Sequence, residues 1–268
     1  MNPELRCLTI ISLLACLGCG GPAESNEPDG PLQLHLASNE DGSLKQVTLN
    51  GQKIGNDDNS FRKFESAVAE FAQNKARAEA NGWIVDINAD EQLRFEFVHR
   101  AIDLCAGSHD EKTEEAVNRI KKVRLVIPES DSKPTAPREL LIPVQPQMDT
   151  KPKINIFPEI TVRLTADVDG SLKELQLGNL KLGNDNQSFD KMNHQILKLI
   201  GKPGNQITKD LEITFDADKA LRYQHVIQAF RACSGRPYPL KAPTAWIPYI
   251  EKFKFTGIGN KSNELNEK

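Results

Sequence analysis

Residues 41–61 read DGSLKQVTLNGQKIGNDDNSF, and residues 169–189 read DGSLKELQLGNLKLGNDNQSF. The two strings lie 128 residues apart and agree, without a gap, at 12 of 21 positions. The same offset carries INADEQLRFEFVHRAIDLCAG (87–107) onto FDADKALRYQHVIQAFRACSG (215–235), with Ala89, Asp90, Leu93, Arg94, Val98, Ala101, Cys105 and Gly107 each meeting an identical residue. Upstream, LQLHLA (32–37) falls on ITVRLT (160–165) with its apolar residues in phase. The chain is an internal duplication of a unit of roughly 100 residues, the size of a small domain. Two copies are too few for a solenoid, so a tandem pair of domains is expected.

One copy opens with an alternating apolar run, Leu32, Leu34, Leu36 or Ile160, Val162, Leu164, which has the period of a half-buried strand. Asp41-Gly42 and Asp169-Gly170 are turn dipeptides suited to a hairpin. A second alternating run follows and is expected to continue as one strand toward Ile54 or Leu182. The segments NDDNSF and NDNQSF offer N-caps for an amphipathic helix whose apolar face is Phe61, Phe64, Val68, Phe71 or Phe189, Met192, Ile196, Leu199. The segment LGND (182–185) reads as a strand-to-helix connection rather than an anion cradle.

A third strand starts at Trp83 or Leu211 and stops at Ala-Asp. A second helix then buries Phe95, Val98, Ala101, Ile102 and Cys105, or Tyr223, Val226, Ala229, Phe230 and Cys233, and closes at Gly107 or Gly235. Final strands begin at Val123 and Lys252. The expected fold class is α+β: two tandem copies of a small β-β-α-β-α-β sandwich with helices on one face of a mixed sheet.

The domains are expected at 32–128 and 158–258. Between them, 129–157 carries Pro134, Pro137, Pro143, Pro146 and Pro152 and reads as a semi-rigid spacer interrupted by LLIPV (140–144). Residues 259–268 form a polar tail.

At the other end, CLTIISLLACLGCGG (7–21) is apolar for about a dozen residues, short of the roughly 20 needed to span a bilayer. It suits a secretory signal ending in small residues and cysteine, and it is similar to a bacterial lipoprotein signal. Residues 1–19 are assigned to it and 20–31 to a short linker. Cys19 is the preferred acylated residue and Cys16 the alternative, with an ordinary cleaved signal or an uncleaved anchor as the remaining reading. Cys105 and Cys233, one per copy, cannot form a framework within a domain and are expected as small core residues, the alternative being an interdomain disulfide.

A net charge of −3 gives no basic footprint, so nucleic acid is not an expected partner. His35, His99, His109, His194 and His225 lack the spacing of a metal site, and no Gly-rich phosphate loop or nucleophile elbow is present. Neither metal, cofactor nor catalysis is expected. Asp90 with Arg94, and Asp218 with Arg222, read as helix caps with a local ion pair or as partner contacts. Tyr238, Trp246 and Tyr249, among the prolines of RPYPLKAPTAWIPY (236–249), suit a binding surface. The other reading folds Trp246 down over the sheet.

The order strand, DG turn, strand, helix, strand, Ala-Asp, helix, Gly, strand resembles the periplasmic domain of the ExbD/TolR biopolymer-transport family. The marks are VRLTADVDGSL (162–172), ITFDADKALRYQHVIQAFRACSG (213–235) and KFKFTG (252–257), with LLIPV ahead of them as the family's Leu-Pro segment. The first copy keeps Asp41, Gly42, Ala89, Asp90 and Gly107, with Phe95 where the family prefers tyrosine.

The resemblance implies dimeric domains that work with an ExbB/TolQ-like channel and a TonB/TolA-like transducer in proton-driven transport, some members contacting peptidoglycan. The family's membrane helix carries an aspartate, whereas the segment from Leu8 to Gly18 has no acidic residue. An intramembrane carboxylate is what a proton relay needs. The expectation is a non-catalytic, lipid-anchored envelope protein on the periplasmic side, binding the channel, the transducer or ExbD-like sister domains. The alternative is a structural lipoprotein tethering membrane to peptidoglycan. The two copies are expected to pack on each other as a pseudo-dimer, the linker raising their effective concentration.

Overall fold

The computed structural model describes residues 30–107, 120–126, 139–143, 159–201, 208, 211–237, 246–250 and 252–257. The first copy runs β1 (Leu32–Ser38), β2 (Leu44–Leu49), β3 (Gln52–Gly55), α1 (Asp58–Gln73), α2 (Lys75–Ala80), β4 (Ile84–Ala89), α3 (Phe95–Ala106), β5 (Lys122–Val126) and β6 (Glu139–Pro143). The second runs β7 (Ile160–Ala166), β8 (Leu172–Leu177), β9 (Leu180–Gly183), α4 (Asn186–Ile200), β10 (Glu212–Ala217), α5 (Tyr223–Ser234), β11 (Gly235–Pro237), β12 (Trp246–Pro248) and β13 (Lys252–Phe255).

The fold is α+β, with mixed sheets of order β3-β2-β1-β4-β5-β6 and β13-β10-β7-β8-β9. In each copy the first strand pairs antiparallel with the second and parallel with the strand that follows the first helix. Alternation decides the faces. Leu32, Leu34 and Leu36 are buried while Gln33 between them is exposed, so the helices cover one face and the other stays polar.

Local chemistry explains the repeated motifs. In each DG turn the aspartate accepts two bonds from a serine two residues on: Asp41 Oδ1 from the Ser43 amide (2.9 Å) and hydroxyl (2.6 Å), and Asp169 from Ser171 at the same distances. These bonds, with the charge of Arg94 or Arg222 nearby, hold both carboxyls below the usual range. Gly42 and Gly170 have φ of 80° and 82°, where side chains are disfavoured. Each GND segment works as a capping box: Asp57 and Asp185 accept from the amides of Ser60 and Ser188 (3.0 and 2.9 Å), and those hydroxyls accept back from the aspartate amides. The strand-to-helix reading of LGND agrees with this geometry.

Several expectations are corrected. The run after the DG turn is two strands, not one, because Asn50 (φ 48°) and Gly51 (φ 80°) fold back as a hairpin, and Gly178 (φ 57°) does the same in the second copy. Helix α2 was not anticipated. LLIPV supplies most of β6, which pairs antiparallel with β5, so part of the spacer belongs to the first sheet. In α4 the face is completed by Ile200 (1% exposed) in place of Leu199, which is 54% exposed. Cys105 and Cys233 are buried, unpaired core residues whose thiols burial pushes up in pKa. Among the described residues no helix is long and apolar enough to cross a membrane; the N-terminal segment with Cys16 and Cys19 lies outside them.

Candidate interaction surface

An α-helix starts with backbone N–H groups that have no partner within it. Helices α1 and α4 satisfy theirs with the capping boxes above, but α3 and α5 begin after Arg94 and Arg222, whose side chains make no capping bond. The other copy supplies the acceptors. The Phe95 amide donates to the Leu221 carbonyl (2.7 Å) and the Glu96 amide to the Lys219 carbonyl (2.9 Å). Reciprocally, Tyr223 donates to Leu93 (2.8 Å) and Gln224 to Glu91 (2.9 Å). Subtracting the 128-residue offset turns each bond into its mate, so the contact is isologous: the same patch meets itself about a pseudo-twofold axis. Arg94 and Arg222 face each other across that axis in an antiparallel bridge.

The DG turns underpin this patch. The Arg94 amide donates to the Gly42 carbonyl and the Arg222 amide to the Gly170 carbonyl, both at 2.9 Å. A Cβ on either glycine would stand 2.9 Å from the backbone oxygen of Gln92 or Ala220. The turn therefore holds the pre-helix loop in the shape that pairs.

Side chains seal the contact unequally. Phe95 packs on Phe255 with ring centroids 5.3 Å apart, joining the first copy to the second copy's core. His99 Nε2 lies 2.9 Å from the Thr256 carbonyl. Gln92 accepts from Arg222 (3.1 Å) and donates to Gln224 (3.4 Å).

The four charged candidates accordingly lie at or beside the seam. Arg94 and Arg222 bridge it, while Asp90 and Asp218 lie at the base of the same loops. The expected capping by the aspartates is not what forms. Asp90 Oδ2 accepts from the Ser38 amide (2.8 Å) at the bulge ending β1, and Asp90 lies 3.7 Å from His35. Asp218 accepts from the Ala220 amide (2.9 Å) in a local turn. The reason is distance along the chain: the aspartates sit four residues before the N-cap position, too early to reach the helix amides.

Tyr249, a residue the sequence suits to a binding surface, is instead fully buried, its amide bonded to the Ser234 carbonyl (2.9 Å). The backbone of Trp246 lies in β12, paired with β11; its side chain and Tyr238 lie outside the described residues.

No family model, curated protein or solved structure matches the chain. Its geometry and its residues are what bear on function.

Sequence reasoning missed the acceptor carbonyls of Glu91, Leu93, Lys219 and Leu221, and Glu96 and Gln224 as donors. A signal was present: α3 and α5 both start after an Arg, with no Ser, Thr, Asp or Asn at the cap. It also missed the Asp86–Arg124 pair on the open face of the first sheet, a fork of 2.7 and 2.6 Å with Asp86 only 8% exposed. The second copy has Thr214 and Lys254 in register there. Thr214 instead bonds Glu159 (2.6 Å), which also pairs with Lys254 (2.9 Å). These cross-strand groups neutralise one another, and among the described residues no trio of His, Cys, Asp or Glu is placed to hold a metal.

Proposed function

We propose that the chain is a non-catalytic envelope lipoprotein, an ExbD/TolR-like accessory of proton-motive-force-driven transport that acts by protein–protein binding. The observation that carries this reading is the reciprocal pairing. The resemblance implies domains that work as dimers, and this chain joins its own two copies through the residues that recur in both. Asp41, Gly42, Leu93 and Arg94, with their mates, are engaged in turns and in the seam, which leaves the polar outer faces of the two sheets as surfaces for partners. Burial of the cysteine thiols and of the Tyr223 phenol, each pushed up in pKa, removes them as nucleophiles.

The partners that fit are an ExbB/TolQ-like channel, a TonB/TolA-like transducer or ExbD-like sister domains, with acylation at Cys19, or Cys16, holding the chain on the periplasmic side of a membrane. Affinity purification of the tagged full-length chain from crosslinked envelopes, with mass spectrometry of what co-purifies, tests this. Recovery of the channel or the transducer supports the reading. Recovery of cell-wall fragments alone replaces it with the tether.

A further inference from the structure

The four backbone bonds across the seam are blind to sequence: two first copies, or two second copies, from neighbouring chains could make the same bonds. Choice must come from side chains. The Glu96 amide reaches the Lys219 carbonyl, and the Gln224 amide reaches the Glu91 carbonyl, so in the closed chain Glu96 neighbours Lys219 and Gln224 neighbours Glu91. A pair of first copies would bring Glu91 against Glu96 twice. A pair of second copies would bring Lys219 against Gln224 twice and would lose the bonds from Gln92, whose counterpart is Ala220. Only the mixed pair puts opposite charges on residues whose backbones bond across the seam, and like charges facing each other at an interface suppress the wrong partner.

We propose that Glu91, Glu96 and Lys219 form a charge code that makes the first copy reject another first copy and accept the second, so that the chain closes on itself rather than exchanging domains with a neighbour. The charges of Arg94 and Arg222 are the same in every pairing and contribute no preference, while the bond from Arg222 to Gln92 needs only a first copy opposite and so does not discriminate against a pair of first copies. Asp41 and Asp169 offset those arginines equally in both copies. The inference stands apart from the identity of any envelope partner, since it concerns only how one chain pairs.

Charge swaps in the full-length chain, purified in mild detergent, test it. Glu96→Lys sets two lysines together inside the chain and makes the first copy self-complementary through Glu91. At low salt it is expected to lower Tm by about 2–4 °C, and light scattering corrected for detergent should show its mass rising toward two chains with concentration. Glu96 also favours its own helix N-terminus, so the deciding variant is the double swap Glu96→Lys with Lys219→Glu. It should recover most of the Tm and return to one chain, whereas Lys219→Glu alone should lose Tm, with the loss shrinking in high salt. A double swap no better than the sum of its parts would overturn the proposal. So would wild-type chains that exchange domains as readily as Glu96→Lys.

Discussion

Phe71 and Leu199 hold the same place in the two copies, yet Phe71 is 2% exposed and Leu199 is 54% exposed. Up to that point the helix faces match: Phe61, Phe64 and Val68 in α1 against Phe189, Met192 and Ile196 in α4. The last turn then differs by one residue, because a helical face can be extended by a step of three or of four. In α1 the step is three, and Arg77 of the following helix α2 stacks on Phe71, 5.4 Å from its ring centre. In α4 the step is four, to Ile200, and the helix closes at Gly201 with φ of 70°. The opposite end of each domain shows no such drift in its backbone: DG turn, bulge and pre-helix loop keep the same backbone hydrogen bonds in both. Duplicated copies diverge where each faces its own surroundings and stay alike where they must fit each other.

The largest expected break in the symmetry is at that helix face. Phe71→Ala should cost about 3–5 kcal/mol, and Leu199→Ala should stay within about 0.5 kcal/mol, read from urea denaturation midpoints of the full chain. The symmetric end gives the sharpening test: Gly42→Ala and Gly170→Ala should each cost at least about 1–2 kcal/mol from positive φ alone, and by similar amounts. Gly51→Ala, with φ of 80° but open space around it, supplies the strain without the clash and should cost less than either.

Smaller differences follow at the aspartates. Asp90→Ala should cost about 1 kcal/mol, because its carboxylate holds the Ser38 amide 52 residues away. Asp218→Ala, which loses only a bond within its own turn, should cost less. The smallest effect is a pH slope. Burial, the leading cause, lowers the pKa of His225 from 6.5, with Arg222 adding to it and Gln228 opposing it. The folded state therefore binds this proton less readily than the unfolded chain. The contribution is fully present above about pH 6.5 and is lost as pH falls through the lowered value. Replacing His225 by phenylalanine, the residue its counterpart Phe97 already is, should flatten the Tm profile between pH 7 and 5.

Much of the architecture was legible because it is local. Asp41-Gly42, Asp57 with Ser60, and Cys105 each announce a turn, a capping box and a core position through chemistry contained within a few residues. What was hidden is non-local. Nothing around LLIPV says that it will pair with β5, and the burial of Tyr249 depends on the pairing of β11 with β12 that brings its amide back to the Ser234 carbonyl at the end of α5. The break at Asn50-Gly51 was legible in principle, as an Asn-Gly pair between apolar runs, but the alternation continues across it and masks the turn. At the candidate surface, Asp90, Arg94, Asp218 and Arg222 stand out in the sequence because they recur. Their role was not legible, because the groups that pair across the seam are backbone atoms, which leave no signature except a helix start without a capping side chain.

Each copy completes the start of the other's last helix, α3 or α5, with its own backbone carbonyls. Hydrogen exchange at the amides of Phe95, Glu96, Tyr223 and Gln224, measured by NMR on the full chain, tests it most directly. The first amides of a lone helix end are open to solvent and exchange quickly. The reciprocal seam predicts that all four are protected together, at levels approaching those of β1 and β7. Exchange of the four at the rate of an uncapped helix end, with the central strands still protected, would mean that the two copies do not cap each other.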